Sequence, residues 1–136
     1  MKTGITFTAF ETLHAGYVKM LEEAKRQCDY LIVGLNTNPK REVTKYDEDP
    51  RSLIERYIQL KGCKYVDEIV PYENEEDLED ILRSFKIDIR IIGEEYRKKP
   101  FTAKEYCQGV GIEIYYNKMD LRPKKLEYLK KVNKAK

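Results

Sequence analysis

The sequence predicts an α/β protein in which a parallel sheet of about five strands is covered by helices on both faces. Three observations predict it. Short β-rich segments alternate with segments whose apolar residues recur at helical spacing. Residues 30–35 (YLIVGL) form a continuous apolar run, as a strand buried on both faces requires. The chain has 136 residues, 41% of them apolar and 37% charged, which suits one folded domain over residues 1–136 and argues against disorder.

The elements follow in order. Residues 3–7 alternate apolar positions and read as a first strand. Residues 16–26 place Val18, Met20, Leu21 and Ala24 on one helical face. After the 30–35 strand, residues 36–49 are polar and aperiodic and read as a long loop. Asp49 and Pro50 are the expected N-cap and first position of a helix whose core face is Leu53, Ile54, Tyr57 and Leu60. Residues 68–70 form a short strand ended by Pro71. Asn74 caps a helix with Leu78, Ile81, Leu82 and Phe85 on one face. Residues 87–92 make a strand stopped by Gly93. There Ile87, Ile89 and Ile91 share a face and leave Asp88 and Arg90 on the other, a charged pair that needs a partner, for which a second subunit is one source. Thr102 and Glu105 form a capping box for a short helix to about Gln108, broken by Gly109 and Gly111. Residues 112–116 are a last strand, and 123–136 a basic terminal helix or tail.

Composition narrows the function classes. With 26 basic and 24 acidic residues the net charge is +2, which gives no global attraction to nucleic acid or an anionic membrane. No apolar run reaches the length of a membrane span, and no targeting segment is visible. Cys28, Cys63 and Cys107 lie too far apart for a zinc or redox motif and read as reduced thiols, which suits a cytoplasmic location. The acidic stretch 73–80 reads as the first turn and solvated face of a helix.

Parallel sheets bind ligands beyond the carboxyl ends of their strands, so the loops after Phe7, Leu35, Val70, Ile92 and Tyr116 are the candidate site. His14 and Gly16 stand where the first loop enters its helix. A helix N-terminus offers free N–H groups and partial positive charge to a phosphate, and Gly16 lets the ligand approach the backbone. The full pattern, Thr8-Ala9-Phe10-Glu11, two residues, then His14-Ala15-Gly16-Tyr17, resembles the signature of the cytidylyltransferase-like nucleotidyltransferases, G-T-F-D followed by H-x-G-H. The likeness continues through IERYIQLKGCKYVDEIVPY, FKIDIRIIGEEY and GIEIYYN, and is greatest to the glycerol-3-phosphate cytidylyltransferases.

That resemblance implies a Rossmann-like nucleotidyltransferase fold and transfer of a cytidylyl group from CTP, carried with Mg2+, to a small phosphorylated alcohol with release of pyrophosphate. It implies a homodimer, and no nucleic-acid or membrane partner. By position, His14 corresponds to the first signature histidine and contacts the triphosphate. Lys40 or Lys45 corresponds to a loop lysine on phosphate, Lys45 being the one carried as catalytic beside His14. Thr8, Ala9, Phe10, Glu11, Gly16 and Tyr17 line the nucleotide, and Arg56, Lys64, Gly93 and Glu94 border it. Three positions depart from the family pattern. Tyr17 replaces the second histidine, T-A-F-E replaces G-T-F-D, and no Ser or Thr follows Thr102 to supply the late hydroxyl-rich helix start, although Arg122, Lys124 and Lys125 remain there. The alternative reading is therefore a non-catalytic nucleotide-binding or assembly protein of the same fold.

Overall fold

The computed structural model describes residues 1–8, 15–37 and 53–117. Five strands, β1 (Thr3–Thr8), β2 (Tyr30–Asn36), β3 (Glu68–Tyr72), β4 (Ile89–Gly93) and β5 (Glu113–Asn117), pair in parallel in the order β3-β2-β1-β4-β5. Four helices connect them: α1 (Ala15–Arg26), α2 (Leu53–Lys61), α3 (Glu75–Ser84) and α4 (Lys104–Val110). Alternation along β2 sends Leu31, Val33 and Leu35 to one face and Ile32 to the other. The first face is covered by Leu21 and Ala24 of α1 and Leu60 of α2. The second is covered by Leu78, Ile81 and Leu82 of α3 and Cys107 of α4. The doubly covered parallel sheet expected from the sequence is the one observed.

This order has one consequence for the site. The chain steps from β1 outward to β2 and β3, then returns through α3 to β4 on the other side of β1. The connections leaving β1 and β4 therefore depart to opposite faces, and a crevice opens beyond their carboxyl ends at Thr8 and Gly93.

The amino end of the sheet is closed instead. Aspartates accept from strand amides there: Asp29 Oδ2 from Lys2 N at 2.7 Å, Asp88 Oδ2 from Thr3 N at 2.8 Å and Asp67 Oδ2 from Leu31 N at 2.8 Å. Asp67 also pairs with Lys25 at the end of α1. At the start of α3, the Asn74 side chain accepts from Asp77 N at 2.9 Å, as the sequence predicts.

Several details differ from the sequence reading. Leu53, Ile54 and Tyr57 of α2 are 40%, 69% and 40% exposed, while Arg56 and Leu60 are buried. The helix thus turns its mixed face inward, and the Arg56 guanidinium is accommodated because it donates to the Asn36 carbonyl at 2.7 Å. Pro71 does not end β3, which runs to Tyr72; β3 is an edge strand, where the missing proline N–H costs no ladder bond. Thr102 and Glu105 form no capping box. The N-cap of α4 is Ala103, in the left-handed region at φ 65°, and the Thr102 hydroxyl donates to Glu75 Oε1 at 3.0 Å. Gly109 lies within α4, and Gly111 at φ 81° ends it. Ile87 precedes β4 and packs on the opposite face from Ile89 and Ile91. Asp88 and Arg90 find their partners within the chain, so they require no second subunit. The Asp49 cap and the terminal helix from 123 lie outside the described residues.

Burial pushes the Asp67 carboxyl up, but the Lys25 ammonium and the Leu31 N–H together hold it below its ordinary value. A depressed carboxylate contributes stability that is present above its unfolded pKa, near 3.9, and lost as pH falls through the folded value. The urea midpoint of Asp67→Asn is therefore expected to be lower than that of the wild type at pH 7, and the gap to close below about pH 4. A gap of constant size down to pH 2 would show that the carboxylate charge contributes nothing.

Candidate functional site at the strand switch point

Two cavities open beside the crevice, separated by Phe7, Ile92 and Tyr96, which line both. Phe7 is held there by the sheet register. It lies opposite Gly34 of β2, where a Cβ would come within 2.3 Å of its ring. Tyr72 meets the same ring edge-on at 5.4 Å.

The smaller cavity, of about 150 Å³, lies on the α1 side and is lined by Thr8, Tyr17, Gly93, Glu95 and Asn117 among others. Asn117 is 4% exposed. Its Nδ2 donates to the Met20 carbonyl at 3.4 Å. Its Oδ1 is left without a partner among the described residues. Buried polar atoms are satisfied in the great majority of cases, and an orphaned acceptor in a cavity wall marks a place for a donor.

The larger cavity, of about 580 Å³, lies on the α3 side. Arg90 lines it, 4% exposed, with its guanidinium between the rings of Phe7 and Phe101 at 5.2 and 5.0 Å. Its Nη1 donates to the Thr102 carbonyl at 2.5 Å. No carboxylate lies within ion-pair distance of it among the described residues. Burial lowers its pKa from the ordinary arginine value, but a guanidinium stays charged.

Among the residues singled out from the sequence, the structure gathers Thr8, Tyr17 and Gly93 around the smaller cavity, with Gly16 buried in the first turn of α1. Glu94 begins a 3-10 turn beyond Gly93 and pairs with Arg97 at 3.7 Å. Arg56 sits at the same end of the sheet but over the end of β2. Lys64 does not join them. It lies between α2 and β3, at the amino end of the parallel strands, with its Nζ 5.2 Å from the Tyr65 ring centroid. Ala9, Phe10, Glu11, His14, Lys40 and Lys45 lie outside the described residues, as do Arg122, Lys124 and Lys125.

Arg90 and Asn117 were not singled out from the sequence as site residues. A charged residue inside an otherwise apolar interior strand was the available signal for Arg90. For Asn117 the signal was weaker, a polar residue closing the last strand at the ligand end of the sheet.

A parallel α/β sheet with cavities at its switch point, one of them beside the start of the first helix, has the arrangement in which open α/β folds bind their ligands. Comparison with known proteins identifies the family. The Cytidylyltransferase-like family model matches residues 5–127, and the chain belongs to that family. It is 33% identical over 110 residues to the glycerol-3-phosphate cytidylyltransferase of Bacillus subtilis (strain 168), covering 81% of this chain and 84% of the relative. It is 28% identical to the enzyme of the same name from Staphylococcus aureus (strain NCTC 8325 / PS 47), covering 83% and 85%. The crystal structure of the lipopolysaccharide core biosynthesis protein from Thermoplasma volcanium GSS1 shares the fold, with a TM-score of 0.62 at 24% identity, covering 87% of this chain and 95% of that one. Among the described residues no helix is long and apolar enough to cross a membrane.

Gly34→Ala should force the Phe7 ring out of the wall between the two cavities, because the added Cβ would come within 2.3 Å of it. The expected cost is about 1–3 kcal/mol in a urea melt, as for overpacking elsewhere. A wild-type midpoint would show that Phe7 is not pinned by this register.

Proposed function

We propose that this protein transfers the cytidylyl group of CTP to a small phosphorylated alcohol, such as glycerol 3-phosphate, and releases pyrophosphate. The observation that carries the reading is the crevice at the β1/β4 switch point with the unpartnered Asn117 acceptor in its wall. An acceptor there can take a hydrogen from the exocyclic amine of cytosine.

In this reading the triphosphate lies along the crevice toward the first turn of α1, where amide N–H groups face the anion. An oxygen of the acceptor phosphate attacks the α-phosphorus. The new P–O bond forms as the bond to the β-phosphate bridging oxygen breaks, and the electron pair leaves with pyrophosphate. Such transfers are catalysed chiefly by positioning and charge stabilisation. Tyr17, a cavity residue at the signature's last position, contributes a neutral donor where a histidine offers a cationic one. His14 and Lys45 act on the triphosphate by resemblance.

Among the described residues no three His, Cys, Asp or Glu side chains cluster as a protein-built metal cage. That donor set fits an ion held mainly by its nucleotide, since Mg2+ is commonly bound by substrate phosphates and only one or two carboxylates. Glu95, in the cavity wall beside Gly93, is the described carboxylate placed to serve it. When bound, the ion would neutralise phosphate charge.

Calorimetry with CTP and Mg2+ should show binding in the micromolar-to-millimolar range, and UTP should bind more weakly. Tyr17→His should raise pyrophosphate release by up to about 10²-fold, because one preorganised donor is worth roughly that much. No heat with millimolar CTP and folded protein would overturn the proposal. Binding without pyrophosphate release in both wild type and Tyr17→His would favour the non-catalytic alternative, for which the Tyr17 replacement itself speaks.

A further inference from the structure

The reading above places the nucleotide at the smaller cavity and the start of α1, and leaves the larger cavity without an assigned part. Its volume of about 580 Å³ falls within the range of about 300–1,000 Å³ that holds whole small-molecule ligands. It is more than a three-carbon polyol fills.

Its walls alternate in chemistry. Arg90 offers guanidinium N–H donors from the floor, buried and without a carboxylate partner among the described residues. Glu75 and Glu79, from the first turns of α3, offer acceptors at the side; Glu75 already receives the Thr102 hydroxyl at 3.0 Å. Phe7, Tyr96 and Phe101 supply flat apolar surfaces. The Thr102 carbonyl takes one of the five guanidinium N–H donors, and acceptors on a ligand can meet others. A second anionic group on the ligand would satisfy Arg90 but face two glutamates; a cationic group would satisfy the glutamates but face Arg90. Neutral hydroxyls satisfy both, because each accepts and donates, and the C–H faces of a polyol chain or sugar ring pack on aromatic rings.

We infer that this cavity binds the non-reacting end of the acceptor, and that this end is a polyhydroxylated chain or ring longer than glycerol, read by Arg90 through its hydroxyl oxygens and by Glu75 and Glu79 through its hydroxyl hydrogens. The word acceptor rests on the transferase reading above; the polyol-binding cavity does not. The acceptor's phosphate then emerges past Phe7 and Tyr96, the residues shared with the nucleotide cavity, toward the α-phosphorus.

The test is calorimetry of the full chain with four probes, with and without CTP and Mg2+, alongside pyrophosphate release. The probes are a five-carbon polyol phosphate, glycerol 3-phosphate, phosphocholine and 3-phosphoglycerate. The five-carbon polyol phosphate should bind most tightly. Arg90→Met and Glu79→Gln should each weaken it by about tenfold or more, as expected for a lost charged hydrogen bond, with CTP affinity unchanged. Replacing a buried charge by an apolar side chain is often tolerated; if Arg90→Met nevertheless fails to fold, Glu79→Gln on the half-buried flank of α3 decides the matter alone. Polyol affinity that is indifferent to Glu79→Gln and to any folded Arg90 variant overturns the inference, as does tighter binding of phosphocholine or 3-phosphoglycerate, or no binding of any probe. Polyol binding that depends on these residues, without pyrophosphate release, leaves the inference standing and removes the transferase reading. Release that is insensitive to both residues does the reverse.

Discussion

The site depends on one topological constraint, the reversal of strand order at β1. Because the chain builds outward through β2 and β3 and then crosses back to β4, the helices that follow β1 and precede β4 lie on opposite faces of the sheet. Among the described residues no helix or strand closes the space between them at the carboxyl ends. Phe7 and Ile92, last residues but one of β1 and β4, stand in that space and divide it into an α1-side cavity and an α3-side cavity. The sheet register fixes Phe7 against Gly34, so the partition is set by backbone pairing rather than by a loop.

The two ends of the sheet are built from different chemistry. At the amino end, aspartate side chains take up strand amides and Lys25 neutralises Asp67. Those groups are consumed by the fold. At the carboxyl end, Asn117 keeps an unused acceptor and Arg90 keeps a charge with no anionic partner among the described residues. Natural folds satisfy buried polar groups nearly everywhere, and exceptions concentrate where a ligand completes the set. The contrast between the ends supports the proposed site at the carboxyl end and shows structural closure at the amino end. It also separates Lys64 from Thr8, Gly16, Tyr17 and Gly93, the described residues expected to act with it.

Much of the fold was legible because its signals are local. The apolar run at 30–35, the Asn74 cap and the helical period of 75–84 each follow from a few neighbouring residues, and each is observed. The misread details all turn on tertiary partners. Leu53, Ile54 and Tyr57 match a core face by period, but the helix rotates to let Arg56 reach the Asn36 carbonyl. Thr102 matches a capping box by spacing, but Glu75, far away in sequence, takes its hydroxyl. The proposed nucleotide side rests on the signature that ends in Gly16 and Tyr17. The α3 side was not legible, since Glu75 and Glu79 read as solvent-facing helix positions and Arg90 read as an interface charge until the topology brought them around one cavity.

The most direct test of the account is an amide chemical-shift titration of the labelled protein with CTP and Mg2+. The account predicts the largest shifts at Thr8, Gly16, Tyr17, Gly93 and Asn117, with none above background at Lys64 and Val66 to Ile69 at the amino end and along the edge strand. Shifts centred on the amino end, with Gly93 and Asn117 unmoved at saturation, would contradict the claim that the β1/β4 switch point is the nucleotide site.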